Sequence, residues 1–264
     1  MKRLTITLVA AAAAVHAFAQ EAMFPTPDAK TLGMGGVAMT TLSGSHALYG
    51  NSATAAFSLM PSQISSSYYG QDESDYYAVS GYWRFDTFNL AQIGWRQCLR
   101  ERGNNDKRPG DVTADALAAD LNAAWMAPVE IGSFSTVRAG AKIANLGGWF
   151  GGGDRSLPMS FTAGAALDTF LTDAHEITVG ADLGYRFSPG AMRGFMLSAG
   201  AEYNLMQLVQ LRAGYHYGEL RGDDPSYASV GAGFRFLHLR LDFAYLFTAK
   251  HTPDIYSISF GFDF

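Results

Sequence analysis

"HLRLDFAYLFT", residues 238–248, sets Leu239, Leu241, Phe243, Tyr245 and Phe247 on one side of an extended chain and His238, Arg240, Asp242 and Ala244 on the other. Successive strand residues point to opposite faces, so this is a strand with one face fit for hydrocarbon and one fit for water. The same split runs along 175–187, where Ile177, Val179, Ala181, Leu183, Tyr185 and Phe187 oppose Glu176, Thr178, Gly180, Asp182, Gly184 and Arg186. It returns at 193–204 and 206–217, where Phe195, Leu197 and Tyr203 oppose Ser198 and Glu202, and Val209, Leu211, Tyr215 and Tyr217 oppose Gln210, Arg212 and His216. A helix would scatter these residues around its axis.

Extending the period-two reading outward predicts strands near 62–70, 75–85, 88–99, 118–128, 134–145, 158–168, 175–187, 193–204, 206–217, 226–236, 238–248 and 254–264. That is about twelve, within a range of 10–14, and their lengths suit a tilted crossing of a bilayer. The connections alternate. Stretches 71–74, 100–117, 146–157, 188–192, 218–225 and 249–253 face inner turns at 86–87, 129–133, 169–174, 205 and 237, the long-outside, short-inside pattern of outer-membrane barrels. A soluble β-sandwich also alternates. Here, however, the polar face is dense in glycine (Gly140, Gly164, Gly180, Gly200, Gly214, Gly231 among others) and charge, and glycine in a solvated strand only weakens it. In a narrow barrel it makes room. The fold class expected is therefore all-β: a transmembrane antiparallel barrel.

Composition agrees. Mean hydropathy is near zero, as expected when lipid-facing and lumen-facing residues average out. Residues 1–19 read as a signal peptide: Lys2 and Arg3, an apolar stretch from Leu4 to Val15, and Ala17-Phe18-Ala19 at the cleavage site. Without Lys2 and Arg3, the 19 basic residues become 17 against 24 acidic ones, a net charge of −7 that disfavours nucleic acid as a partner. Cys98 is the single cysteine, so no intrachain disulfide forms.

Residues 20–61 precede the barrel (62–264) and contain "TLGMGGVAMTTLSGSHALYGNSATAAF", residues 31–57. Gly33-x-Gly35-x-x-Ala38 loosely fits a dinucleotide-binding loop, but that loop needs a preceding strand and a following helix in a βαβ unit, and none is present. The segment reads instead as a hatch of small residues in the lumen. Leu32, Gly33, Met34, Gly35 and Gly36 form a compact turn; Tyr49 follows; and Asn51 or Ser52 caps a short helix from Ala53 to Leu59.

Candidate lumen charges are Arg138, Lys142, Asp182, Arg186, Glu202, Arg212, Arg235, Arg240 and Asp242, with Arg84, Arg96, Glu176 and Asp263 nearby by the same phase. They either ladder into ion pairs that fill the barrel or line a polar path. Asp182 and His216 both point inward, yet the sequence certifies no nucleophile beside them, so a buried polar contact is the favoured reading and no enzyme is expected. "GNNDKRPGD" (103–111) and "RGDD" (221–224) lack calcium-loop spacing and read as turns; no metal or cofactor is expected. Tyr68, Tyr69, Tyr76, Trp83, Trp95 and Trp125 suit interfacial girdles that anchor the barrel in outer-membrane lipid.

The chain closes on "IYSISFGFDF", where Tyr256, Ile258, Phe260, Phe262 and Phe264 form one apolar row. This resembles the C-terminal signal by which outer-membrane barrels engage their assembly machinery. The order of "PDAKTLGMGGVAM" (27–39), "ALYGNSATAAF" (47–57), "AGAKIANLGG" (139–148), "LPMSFTAGAAL" (157–167), "GAEY" (200–203) and "LRAGYHYG" (211–218) resembles the PorV/PorQ group of outer-membrane barrels, related to FadL-type transporters. Ser52 stands where that group commonly has Pro. The resemblance implies an accessory or shuttle role in type IX protein secretion, with secretion components and cargo as partners. The FadL-like relatives imply instead a channel for small hydrophobic compounds with an N-terminal hatch. A structural barrel with a closed lumen is the third reading.

Overall fold

The computed structural model describes residues 8–18, 26–71, 74–86, 89–101, 107–109, 116–129, 134–149, 157–188, 193–219, 225–248 and 254–264. Strands are β1 (Leu8–Phe18), β2 (Ser62–Gln71), β3 (Ser74–Arg84), β4 (Leu90–Glu101), β5 (Lys107–Pro109), β6 (Ala116–Val129), β7 (Phe134–Trp149), β8 (Ser160–Thr172), β9 (His175–Arg186), β10 (Gly194–Leu205), β11 (Val209–Gly218), β12 (Tyr227–Phe236), β13 (Leu239–Thr248) and β14 (Ile255–Asp263). All twelve strands read from the sequence are present within a few residues of their expected bounds.

All described pairs are antiparallel, in the order β1-β6-β7-β8-β9-β10-β11-β12-β13-β14-β2-β3-β4-β5, so the C-terminal strand β14 pairs with β2 and joins the two halves of the meander. The sheet has two edges, β1 and β5, and is not closed by hydrogen bonds. Two strands go beyond the sequence reading. The three-residue β5 pairs with the end of β4 inside a stretch expected to be wholly loop. Residues Leu8–Phe18, expected to belong to a leader, lie as β1 along β6 from Leu8↔Met126 to Phe18↔Ala116. Of the two loop motifs, "RGDD" (221–224) lies wholly outside the described residues, as do 103–106 and 110–111 of "GNNDKRPGD".

Burial runs opposite to that of a water-soluble protein. Leu241 and Phe243 are 49% and 41% exposed while Asp242 between them is 0% exposed. In β9 the pattern alternates strictly, with Thr178, Gly180, Asp182, Gly184 and Arg186 buried and Val179, Ala181, Leu183 and Tyr185 exposed. Apolar-out, polar-in alternation on a curled sheet belongs to a barrel whose solvent is lipid. Tyr68, Tyr77 and Tyr256 cluster on this outer surface near the β2–β3 turn, with ring centroids 5.3 and 5.6 Å apart. Trp83 and Trp95 are also outward, 63% and 55% exposed. Tyr69 is a correction: it lies one residue out of phase with Tyr68 and is buried, 4% exposed, packed edge-on against inward Tyr76. Both are lumen residues rather than girdle anchors.

The interior is filled from the N-terminal side. Helix α1 (Ala29–Gly33) is followed by turns and by two short 3-10 helices, Gly44–Tyr49 and Ser52–Phe57. Asn51 caps the second by accepting from the Ala53 amide at 3.2 Å; this helix ends at Phe57, short of the expected Leu59, which is 98% exposed.

Candidate functional site: the hatch and the lumen it fills

The hatch is held by three kinds of contact. The first is steric. Gly140, Gly200 and Gly214 are the points where its backbone touches the wall: a Cβ added there would stand 2.1 Å from Met39 O, 2.2 Å from Met34 O and 2.2 Å from Gly35 N. Gly35 itself has φ +68° and would place a Cβ 2.4 Å from the Tyr215 nitrogen, so both its conformation and its contact require glycine. The expected compact Leu32–Gly36 turn is thus seated on β10, β11 and β12, with Gly33 facing Gly231.

The second kind is backbone capture by wall side chains. Asp182 Oδ2 accepts from the amides of Ala38 (2.6 Å) and Met39 (2.9 Å). Ser229 Oγ accepts from the Gly35 amide at 3.0 Å and donates to Gly33 O at 3.2 Å. Arg138 donates to Thr40 O, Arg240 to Ser43 O at 3.0 Å and Lys142 to Gly50 O at 2.9 Å. In return Tyr49 donates to Val79 O and Trp95 O (2.7 and 3.0 Å), beneath the Arg96 guanidinium, and Asn51 Nδ2 donates to Ala123 O at 2.9 Å. Contacts from one short segment to β3, β4, β6, β7, β9, β11, β12 and β13 mean that the sheet wraps around it.

The third is an ion ladder. Lys30 of α1 lies 3.4 Å from Glu202; Glu202 accepts from Arg212 at 2.5 Å; Arg212 donates to Asp242 at 2.7 Å; and Arg240 lies 3.2 Å from Asp242. Charge alternates along five residues on α1, β10, β11 and β13, with Asp242 fully buried. Separate pairs join Arg138 to Asp168 (2.5 Å) and Lys142 to Asp120 (2.8 Å). Of the expected lumen charges, seven therefore take part in these pairs or hold the hatch. Arg186 is buried with Met196 Sδ at 3.6 Å, and Arg235 is exposed within the lumen mouth.

Two residues that matter were missed. Asp28 caps α1, accepting from the Thr31 amide (3.0 Å) and from the hydroxyls of Thr31 (2.6 Å) and Ser43 (2.5 Å). Burial acts to raise its carboxyl, but His46, Arg240 and those hydroxyls together hold it below the usual carboxylate range. The Asp three residues before Thr31, directly after Pro27, was a legible cap signal. Lys30 is the other, the single Lys or Arg of residues 20–61.

Asp182 and His216 are not brought together. Both are register partners of Ser198, which lies between them, and His216 Nδ1 is 2.9 Å from the Ser198 hydroxyl with its ring stacked on Tyr227 at 5.0 Å. Asp182 is turned instead to the hatch amides. A nucleophile–base–acid relay needs the imidazole in the middle.

The lumen differs above and below the hatch. Taking the short-turn end as periplasmic, the outer side carries an apolar group in which Ala29 and Leu32 of α1 pack on Tyr69, Ala244, Leu246 and Ile255, flanked by Tyr76 and Tyr227. The inner side holds a polar cavity of about 130 Å³ among the ladder residues.

Solved structures show the same architecture. The TodX monoaromatic hydrocarbon channel, as a deltaS2 mutant, superposes with a TM-score of 0.54 at 12% identity over 91% of this chain and 100% of that one. The CymD monoaromatic hydrocarbon channel gives 0.51 at 13% identity over 90% and 97%. This chain is an outer-membrane β-barrel. Its place is the outer membrane, with the exposed rows of β2–β4 and β6–β14 in lipid. No protein-family model matches the chain, and no curated protein matches it. The row Tyr256, Ile258 and Phe260 lies on that lipid face at 41%, 42% and 47% exposure, with Phe262 partly buried and Phe264 52% exposed at its end.

Proposed function

We propose that this barrel is a hatch-plugged channel that admits a small hydrophobic compound, in the manner of FadL-like proteins. The observation that carries the reading is the apolar group on the outer side of α1, where Leu32 of the hatch meets Tyr69, Leu246 and Ile255 of the wall. Apolar residues facing the lumen gain nothing from lipid, and here they pack, buried, on the outer side of the hatch, where a compound arriving from outside would have to part them. The fold likeness to two hydrocarbon channels supports the same reading. The hatch then acts as the barrier, and passage requires its contacts with β10–β13 to loosen.

The test is uptake of a monoaromatic hydrocarbon by cells lacking the gene and by cells complemented with wild type or Leu246→Asp. Slower uptake in the deletion, restored by wild type and not by L246D, is expected. Equal uptake in all strains overturns the reading.

The second reading is an accessory or shuttle barrel of type IX secretion, supported by the resemblance of "PDAKTLGMGGVAM" and "ALYGNSATAAF" to PorV-like proteins. Those two stretches are the hatch itself, and they contain Asp28, Gly35 and Asn51, whose contacts seat it. Co-purification with a type IX translocon component or exported cargo is its expected result; normal cargo export in the deletion strain overturns it.

A further inference from the structure

The inner cavity of about 130 Å³ is lined by charge whose pairing can be followed residue by residue. Arg138 is taken by Asp168, Arg212 by Glu202 and Asp242, and Arg240 by Asp242 and Ser43 O. Glu176 accepts from the side-chain amides of Asn204 (3.0 Å) and Gln207 (2.6 Å). Arg235 is left over. It lines the cavity, its side chain is exposed there, and it has no side-chain hydrogen bond or ion pair among the described residues.

Its position is electrostatically unfavourable as it stands. Arg235 is the direct cross-strand partner of Arg240 in the β12–β13 register, and both side chains project into the lumen. Like charges opposite one another destabilise a strand pair. Lys30 is close enough to feel the same field: burial lowers the pKa of its ammonium first, Glu202 acts against this, and Arg212 and Arg235 lower it further. Lys30, Arg138, Arg212, Arg235 and Arg240 stand against Asp168, Glu176, Glu202 and Asp242, so one positive charge lacks a counter-charge.

We propose that this cavity binds a small oxyanion, a carboxylate or a phosphate, between Arg235 of the wall and Lys30 of the hatch. A planar guanidinium presents two parallel donors to such a group and an ammonium supplies a third from the opposite side. The Asn204 and Gln207 amides at the same mouth each have a second N–H beyond the one given to Glu176, a neutral donor for a remaining oxygen. Because Lys30 sits on α1 and Arg235 on β12, the bound anion bridges hatch and wall, and its occupancy adds to the forces that keep the hatch seated. This site is independent of the outer apolar group and stands or falls without it.

The test is isothermal titration of inorganic phosphate, and separately of acetate, into the purified barrel in detergent at neutral pH, with ionic strength fixed by chloride. Saturable one-site binding of at least one of them is expected. Phosphate alone marks a phosphate site; both, or acetate alone, mark a carboxylate site. Arg235→Gln, its fold checked by heat-modifiable gel migration, weakens binding by about tenfold or more, while Arg235→Lys, which keeps the charge and loses the paired donors, falls between wild type and R235Q. Absence of saturable binding of either anion to wild type, or unchanged affinity in R235Q, overturns the proposal.

Discussion

Gly35 of the hatch lies against Gly214 of β11 so closely that a Cβ on Gly214 would be 2.2 Å from the Gly35 nitrogen. The two backbones meet with no side chain between them, and the seal depends on it. Gly214→Ala is therefore expected to push the hatch off the wall, at an overpacking cost of about 1–3 kcal/mol. Hydrogen exchange read by mass spectrometry should show faster exchange in residues 29–41, with the β11 amides little changed. Gly148→Ala is the control, since a Cβ there meets nothing within 4 Å.

Asp182 is the main acceptor for the chain as it leaves α1. Asp182→Ala strands the Ala38 and Met39 amides, each at a cost of about 1–3 kcal/mol when buried without a partner. The same exchange experiment should find the loss of protection centred on residues 37–40, while the barrel keeps its heat-modifiable migration. An unchanged hatch in D182A would mean that these two bonds contribute nothing.

The Arg212–Asp242 pair is buried at both ends, with side chains 1% and 0% exposed. Asp242→Asn leaves Arg212 with Glu202 alone and Arg240 without its carboxylate, and breaking such a pair costs roughly 3–5 kcal/mol. Replacing both partners with apolar residues, as in R212M with D242L, should be milder than the sum of the single changes. A double-mutant cycle in urea, in detergent or in vesicles, measures that coupling.

His46 makes the hatch sensitive to acid. Its Nδ1 is 2.6 Å from the Ser80 hydroxyl and its ring is buried; burial, with Arg240 in addition and against Asp28 and Asp242, moves its pKa from 6.5 down to about 4. A displaced hatch would regain the ordinary value, so between those limits the displaced form binds more protons than the seated one. Seating is at full strength above about pH 6.5 and weakens as pH falls toward 4. Hatch protection should drop between pH 7 and pH 5 in wild type, and His46→Gln should flatten the dependence.

Much of this was legible in the period of the sequence. Apolar-out alternation at 238–248 and 175–187 located strands and separated lipid-facing Leu241 from lumen-facing Asp242, and twelve such stretches account for β2–β4 and β6–β14. Partners were not legible, because they depend on register. That Glu202 meets Arg212 and Arg235 meets Arg240 follows only once β10, β11, β12 and β13 are aligned. Tyr69 was misassigned for a related reason: beside Tyr68 it looked like one anchor of two, yet adjacent strand residues face opposite ways. Ser198, placed between Asp182 and His216, likewise became visible only through the pairing of β9, β10 and β11.

The central claim is that the hatch closes the lumen. Planar-bilayer conductance of the purified barrel, with and without residues 26–60, tests it most directly. The intact protein is expected to show no steady open current, and the hatch deletion to open a persistent channel. A steady current through the intact protein equal to that of the deletion would contradict the account.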